Sequence, residues 1–557
     1  MMANAHKYRL YTLGLFFSLI FTALTWRMVD LTVLDRQFLK YQGDARSLRI
    51  MDTPAYRGMI KDRQGSPLAV STPVESVWIN PKEFKISRIQ LKRLSQRIGI
   101  PEKLILHREK SAAQREFMYL RRQIPPETAR TIADLKIPGV YFQQEFKRYY
   151  PDSDSTAQLI GFTNIDDQGI EGLELAYQDW LKGTPGKERV TKDLRGHVIE
   201  NLGVIKESHA GQDLTLSIDR RIQYIAYHEL TNTLAQFGAV SGSVVVLDTQ
   251  SGEILAAANA PSFNPNARGD FSRDSYRNKA FTDTFEPGSV MKAFSIASVL
   301  ETKQVTPQTI IDTRPGWMTV HGHTIRDIHN YGILDVTGVL QHSSNVGTTK
   351  MILLNPPETL IGLLQRAGFG QRTESAYPGE SEGALVKAKD ANPFVLATLS
   401  FGYGISVTTI QLAKAYMIFA NHGRMRPITV VHGDPMPLGE QVLDERTSDE
   451  ILGMLEAVMA KEGTGHVAKI PGYRVAGKTG TARIASGKQG YAENRHIGSF
   501  VGIAPVSNPR LVVVVVIHEP TKNGYYGAVV AAPLFAKVMS ASLRILDIPP
   551  DDTNETS

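Results

Sequence analysis

Not one of the 557 residues is a cysteine, which excludes disulfides, thiolate nucleophiles and Cys-ligated zinc. An excess of charge of one sign is also missing. The net charge of +6 is small for this length and gives no argument for nucleic acid as a partner. Internal repeats are absent. Beyond the amino terminus there is no long apolar run either: the most apolar later stretch, LVVVVVI from Leu511 to Ile517, is far too short to cross a bilayer and suits a buried central strand.

What is present begins with one apolar segment. From Leu10 to Trp26 the chain carries no charge, and Met28 and Val29 extend the run past Arg27, whose long stem can snorkel to the interface. That length just crosses a bilayer. The following TWRMVDLTVLD offers no convincing small-x-small cleavage site, so the segment reads as an uncleaved anchor. His6, Lys7 and Arg9 flank its start. The positive-inside rule then leaves residues 1–9 as a cytoplasmic tail, makes residues 10–29 a single-pass transmembrane anchor, and sends the remaining chain outward. In a bacterium the outward side is the periplasm, and the anchor lies in the inner membrane. Gly14, Ser18 and Thr22 recur every four residues along one face of this helix, a strip that permits close approach of another membrane helix.

The length calls for several domains. Residues 44–210 mix short strand-like runs with charged, Pro- and Gly-punctuated turns and are expected to form a mixed α/β pedestal. The texture changes near residue 210: Leu214, Leu216 and Ile218 alternate with polar residues, and RRIQYIAYHELTNTLAQF reads as an amphipathic helix. GSVVVLDTQSGEILAAANA predicts two strands joined at Thr249 to Gly252. YRVAGKTGTAR, GSFVGIAP and RLVVVVVIHEP supply further strands, with helical stretches between. An α+β multidomain protein follows, whose second domain, 211–545, is an antiparallel sheet flanked by helices. The polar tail 546–557 is expected to be disordered.

Three short motifs carry chemistry. EPGSVMKAF places Ser289 at the mouth of a helix with Lys292 three residues on, so hydroxyl and amine share a face, a nucleophile beside a base. Alone, the pattern favours a Ser that caps a surface helix and a Lys that points at water. HSSNVG supplies Ser343 and Asn345, and GKTGTA supplies Lys478, Thr479, Gly480 and Thr481 on a strand. Their order and wide separation, SxxK first and KTG last, make chance a poor explanation.

Together with RGMIKDRQG, FKRYYP, GIEGLE, KDLRGHVI, SFVGIAP and YYGAVVAAPLF, these motifs resemble those of the penicillin-binding serine acyltransferases. Within them, the chain is similar to the class B penicillin-binding proteins, closest to the division-specific peptidoglycan D,D-transpeptidases (FtsI type), with the elongation-specific type left open. The resemblance implies a penicillin-binding, serine β-lactamase-like fold, no cofactor and no metal. It implies that Ser289 attacks a stem peptide ending in D-Ala-D-Ala, with Lys292 as base. Ser343 bridges Lys478 and the reacting centre, and Asn345 holds the substrate's amide carbonyl. Backbone N–H groups of Ser289 and Thr481 form the oxyanion hole, and Thr479, Gly480 and Thr481 line the site for the terminal carboxylate. An amine of a neighbouring stem peptide resolves the acyl-enzyme, and β-lactams stall it. The implied partners are a polytopic glycan polymerase (FtsW type) and other division proteins of the membrane, at the septum.

Rival readings rest on particular residues. A class A β-lactamase shares the three motifs and needs a Glu to activate the deacylating water, in a loop between the second and third. EPTKN, Glu519 to Asn523, comes after Lys478, so its order is wrong. His321, His323 and His329 in VHGHTIRDIHNYG invite zinc, but their spacing settles no third ligand, and they and His496 read as ordinary satisfied or solvent-facing histidines. The region before residue 210 shows no paired-acid motif for glycan polymerisation. A penicillin sensor would need a cytoplasmic signalling domain, for which the stretch ahead of the anchor is too short.

Overall fold

The Val-rich run at the end of the chain sits where its composition places it, in the middle of a sheet. The computed structural model describes residues 2–192, 198–267, 273–433, 435–485 and 490–552. Five strands, β1 (Ser241–Asp248), β2 (Ile254–Ala260), β3 (Ala476–Ala485), β4 (Tyr491–Ala504) and β5 (Leu511–His518), form one sheet in the order β2-β1-β5-β4-β3. Every pairing is antiparallel, with Val244 opposite Val515, Val501 opposite Val514 and Lys478 opposite Val501. Along β5, Val512, Val514 and Val516 enter one apolar core while Val513, Val515 and Ile517 enter a second. Both faces are covered, so the strand has no polar alternation to show.

Helix α1 (Arg220–Phe237) and helix α6 (Ala532–Ile545) supply the second of these cores, through residues such as Leu230, Phe237, Phe535 and Val538. The first is built around α2 (Lys292–Leu300), α3 (Asn345–Ile352), α4 (Thr409–Ala420) and α5 (Glu445–Ala457). Local signals start these helices. Asp219 accepts from the N–H of Arg221 at the head of α1, and Thr408 with Gln411 forms a capping box on α4, each satisfying donors that the first turn leaves without partners. The two strands expected from GSVVVLDTQSGEILAAANA are β1 and β2, with Gly252 at φ +79° in the turn.

Packing divides the chain into two units: Met1–Tyr56, Pro73–Phe146 and Gly183–Gly211 form the first, and Arg57–Thr72, Lys147–Lys182 and Gln212–Ser557 the second. This differs from a single boundary near residue 210. Segments Arg57–Thr72 and Lys147–Lys182 count with the sheet-bearing unit, where Arg57 Nε and Arg148 Nε donate to opposite oxygens of a buried Glu174 at 2.7 and 2.6 Å. Two guanidinium groups closing on one buried carboxylate join segments far apart in sequence, which no linear reading detects.

In the first unit, one helix, Lys7–Leu34, is long and apolar enough to cross a membrane, and none of it is buried. A helix Arg36–Ser47 and a three-stranded sheet follow, the sheet made of Leu48–Thr53, Gly186–Lys192 and Val198–Lys206. A separate small core gathers Val77, Leu91, Leu94, Ile98, Leu120 and Ile132. Within KDLRGHVI, residues 193–197 lie outside the described residues, as do residues 553–557 of the tail. The earlier part of that tail is ordered by contacts: Ile548 is buried, and the Asp551 carboxylate accepts from the N–H groups of Arg474 and Ser507 at 2.7 and 3.0 Å.

Candidate active site

Three local structures bring the motif residues together. Gly288–Met291 is a 3₁₀ turn that runs into α2 at Lys292. A 3₁₀ turn eclipses residues three apart, so Ser289 and Lys292 point the same way. Ser343 sits in the left-handed region, φ +60°, between helix Val336–Gln341 and α3. Lys478 to Thr481 lie on β3, the edge of the sheet. An edge strand leaves alternate N–H and C=O groups without strand partners.

Lys292 and Lys478 are both fully buried, and the hydroxyl of Ser343 lies between them, 3.1 Å from Lys292 Nζ and 3.0 Å from Lys478 Nζ. Lys292 Nζ also donates to the Ser343 carbonyl at 2.5 Å and to Asn345 Oδ1 at 2.7 Å. Its contacts turn toward Ser343 and Asn345, and no hydrogen bond joins it to Ser289 Oγ among the described residues. Catalytic hydrogen bonds of free enzymes commonly tighten only once substrate is bound. Burial, then the charge of Lys478, holds the Lys292 amine well below its usual range, while the charge of Asp327 opposes them. Burial alone pushes Lys478 down to about 7. Removing an ammonium from water penalises its charged form, so both amines give up their protons more readily than a solvated lysine does.

Ser289, Ser343, Asn345, Thr479 and Thr481 line one cleft of about 530 Å³. Thr479 Oγ1 donates to Thr464 Oγ1 at 3.2 Å, whereas Thr481 Oγ1 accepts from the N–H of Gly527 at 3.0 Å and keeps its own proton free. Gly480 is required by space: a Cβ there would lie 2.3 Å from Ser499 Oγ and 2.7 Å from the Pro287 carbonyl. The residue lets the turn that carries Ser289 seat against β3. No Asp or Glu lines the cleft among the described residues. Glu519 is bound to Arg495 at 2.6 and 3.0 Å, which holds its carboxyl below the usual range.

The histidine-rich segment has another purpose. His321 and Gly322, at φ +47° and +80°, make the two-residue turn of a hairpin between strands Trp317–Val320 and His323–Arg326, the left-handed pair that such hairpins need. His323 stacks on Phe394, and His321 and His329 are exposed. The His/carboxylate group close enough to share an ion among the described residues is His422, Glu445 and Asp449, all exposed and none in the cleft. His496 lines the cleft, its ring stacked on Tyr525 at 3.9 Å and its proton affinity lowered by burial and then by Arg483. Asp327, Thr464 and Tyr525 carried no signal in the motifs; Asp327 lies inside the very stretch whose histidines suggested zinc.

Comparison with known proteins agrees with this geometry. The family model described as "Penicillin binding protein transpeptidase domain" matches residues 242–540, and "Penicillin-binding Protein dimerisation domain" matches residues 52–216. The chain is 42% identical to the probable peptidoglycan D,D-transpeptidase PbpC of Pseudomonas aeruginosa, over 100% of its own length and 98% of the relative's. It is 40% identical to the peptidoglycan D,D-transpeptidase FtsI of Escherichia coli K12, over 95% and 90%. Among solved structures, penicillin-binding protein 3 of Mycobacterium tuberculosis, in complex with aztreonam, superposes with a TM-score of 0.69 at 26% identity, covering 90% of this chain and 98% of that one. The transpeptidase domain of Burkholderia pseudomallei penicillin-binding protein 3 gives a TM-score of 0.56 at 39% identity, covering 60% and 98%. With full-length relatives at this identity and both family domains matched in order, the chain belongs to the class B penicillin-binding proteins.

Proposed function

We propose that this peptidoglycan D,D-transpeptidase works through Ser289 as the acylated nucleophile, with Lys292 as its base, in cross-linking of the septal wall. The observation that carries the assignment of residues is the Ser343 hydroxyl held between two fully buried lysines, on the cleft that Ser289 lines. Ser289 Oγ attacks the carbonyl of the penultimate D-Ala while its proton passes to the free amine of Lys292. The N–H groups of Ser289 and Thr481 hold the developing oxyanion, a contribution of about 3 kcal/mol per donor. As the amide C–N bond breaks, Ser343 delivers a proton to the departing D-Ala amine, replenished from Lys478. Thr479 and Thr481 bind the terminal carboxylate, the second through the proton its Gly527 contact leaves free. Asn345 has one amide proton on the Arg326 carbonyl at 2.9 Å and one left for the substrate's amide carbonyl. An amine from a neighbouring stem peptide then attacks the ester and regenerates Ser289.

A β-lactam acylates the same hydroxyl. With no carboxylate among the described residues that line the cleft to activate water, its adduct is long-lived. The septal role rests on the FtsI-named relatives, placement in the inner membrane rests on the apolar amino-terminal helix, and an FtsW-type polymerase beside it is what the resemblance to division transpeptidases implies. The test is labelling with a fluorescent penicillin. Wild type should keep its label after free drug is removed, and Ser289→Ala should take none while melting as wild type does. Label on the variant points to another nucleophile, and rapid release from wild type points to a lactamase. Depletion in the source bacterium separates the two cellular roles: filaments support division, and rounded cells overturn it in favour of elongation.

A further inference from the structure

The amino-terminal helix does not run on unbroken into the folded chain. After Met2–Val29, residues Asp30–Leu34 form a π turn, closed where the N–H of Asp35 donates to the Asp30 carbonyl at 2.7 Å. Asp35 itself leaves helical geometry, at φ −94° and ψ 4°, before a second helix begins at Arg36. A break of this kind lets two successive helices take different directions. The second helix, Arg36–Ser47, has two unlike sides. At about 3.6 residues per turn, Phe38 and Tyr41 fall on one side with Leu39 at its border, while Arg36, Lys40 and Asp44, four apart, fall on the other. Phe38 is 59%, Leu39 42% and Tyr41 72% exposed, and none of the three joins a hydrophobic core among the described residues. This bare apolar side begins four residues after Leu34, where the helix long and apolar enough to cross a membrane ends.

We infer that helix Arg36–Ser47 lies in the outward surface of the membrane, with Phe38, Leu39 and Tyr41 sunk into the boundary between headgroups and acyl chains and with Arg36 and Lys40 turned to water. The partner is the lipid surface itself, continuous with the lipid around the span, and the inference rests on the reading of Lys7–Leu34 as the anchor. The two sides run lengthwise along the helix, so an axis parallel to the surface buries one while it wets the other. An axis that continued the span would carry the apolar side out into water. Tyr41, an apolar ring with a polar tip, suits this boundary. Among the described side chains, the charges of Arg36 and Lys40 are offset by those of Asp35 and Asp44. Apolar burial, rather than attraction to anionic headgroups, therefore holds the helix in place. The chain then enters its first strand, Leu48–Thr53, from the plane of the surface. The extramembrane part is thereby tied to the bilayer at a second contact beyond the span.

The absence of cysteine from the chain supplies the experiment, because a single introduced thiol takes a spin label alone. The full-length chain is prepared as Arg36→Cys, Phe38→Cys, Lys40→Cys and Tyr41→Cys, with Leu19→Cys in the span as a control, and reconstituted in phosphatidylcholine vesicles with and without phosphatidylglycerol. Each variant should take fluorescent penicillin as wild type does, which checks the fold. Collision of the label with oxygen, which concentrates in lipid, is compared with collision with a water-soluble nickel chelate. The ratio of oxygen to chelate should be higher at Phe38→Cys and Tyr41→Cys than at Arg36→Cys and Lys40→Cys by about fivefold, as for an apolar side sunk below the headgroups. It should be the same in both vesicle compositions. Equal ratios at the four positions overturn the inference. So does protection of Phe38→Cys and Tyr41→Cys from both reagents, which would mean that protein covers this side, and so does a difference seen only with phosphatidylglycerol, which would mean that charge holds the helix. Access of the chelate to Leu19→Cys would instead strike at the reading of the anchor.

Discussion

Lys478 shows how much a single side chain costs a fold and what it returns. Burial pushes its amine down to about 7, while in the unfolded chain the group titrates near its ordinary value of about 10.4. Between those values the unfolded chain holds a proton that the folded chain has given up, so the contribution of this group to stability rises with pH across that window. Below about 7 both states are protonated and the full penalty of burying the charge is present. Lys478→Met should therefore raise the melting temperature of the sheet-bearing unit most at or below neutral pH, with the gain shrinking toward about pH 10. It should also abolish penicillin labelling, as expected where a strained site is kept for activity. A gain independent of pH would mean that Lys478 does not titrate in this window. The pair Ser289 and Lys292 is legible in sequence because both sit in one local turn. Asp327 is not, because its partners lie 17 to 19 residues away and its own neighbourhood is dominated by a hairpin turn.

At the scale of elements, the candidate active site is a seat for one short turn against one edge strand. Gly288, at φ +65°, would place a Cβ 2.9 Å from the Thr481 carbonyl, and a Cβ on Gly402 would lie 2.1 Å from the Gly288 carbonyl. With Gly480, three glycines let backbone meet backbone around Ser289. Gly480→Ala should slow penicillin acylation by about a hundredfold, since a shift of about 1 Å in a reacting group has that effect. Gly453, in the middle of α5 with nothing within 4 Å of where a methyl group would stand, is the control. Gly453→Ala should stabilise by about 0.5–1 kcal/mol and leave labelling as it was. Labelling of Gly480→Ala at the wild-type rate would show that the turn does not depend on this close approach. The strands themselves are legible from alternation and β-branched content, and the closeness of turn to strand is legible only as a Gly whose neighbours are unknown.

For the whole molecule, the amino-terminal helix is the part whose surroundings the rest of the chain leaves undecided. Its residues are exposed along its length. Thr22 Oγ1 donates to the Ser18 carbonyl at 2.8 Å, so that hydroxyl is satisfied within the helix and the Gly14, Ser18, Thr22 face is left smooth for packing. Gly14→Leu with Ser18→Leu should reduce co-purification of the proposed polymerase and impair septation while penicillin acylation stays as in wild type. Full recovery of the polymerase with a double variant that inserts and labels normally would move the contact to the first unit's extramembrane part. The division into units was the least legible feature of the molecule, because segments Arg57–Thr72 and Lys147–Lys182 join the sheet-bearing unit through contacts such as Arg63 on Glu253 and Arg220 on Asp152.

The sequence by itself determined the three motifs that carry the proposed catalytic groups and their order, the apolar amino-terminal helix and the strands around β5. Each of these is written in neighbouring residues: a three-residue spacing, an uncharged run, an unbroken series of valines. Only the tertiary structure decided the lowered proton affinity of Lys292 and Lys478, the grip of Asp327 on the second motif, and the placing of His496 and Tyr525 in the cleft. Those properties depend on burial and on distances of a few ångströms between residues far apart along the chain. Electrostatic energy changes steeply with both, and neither distance nor burial is written in a linear order of residues.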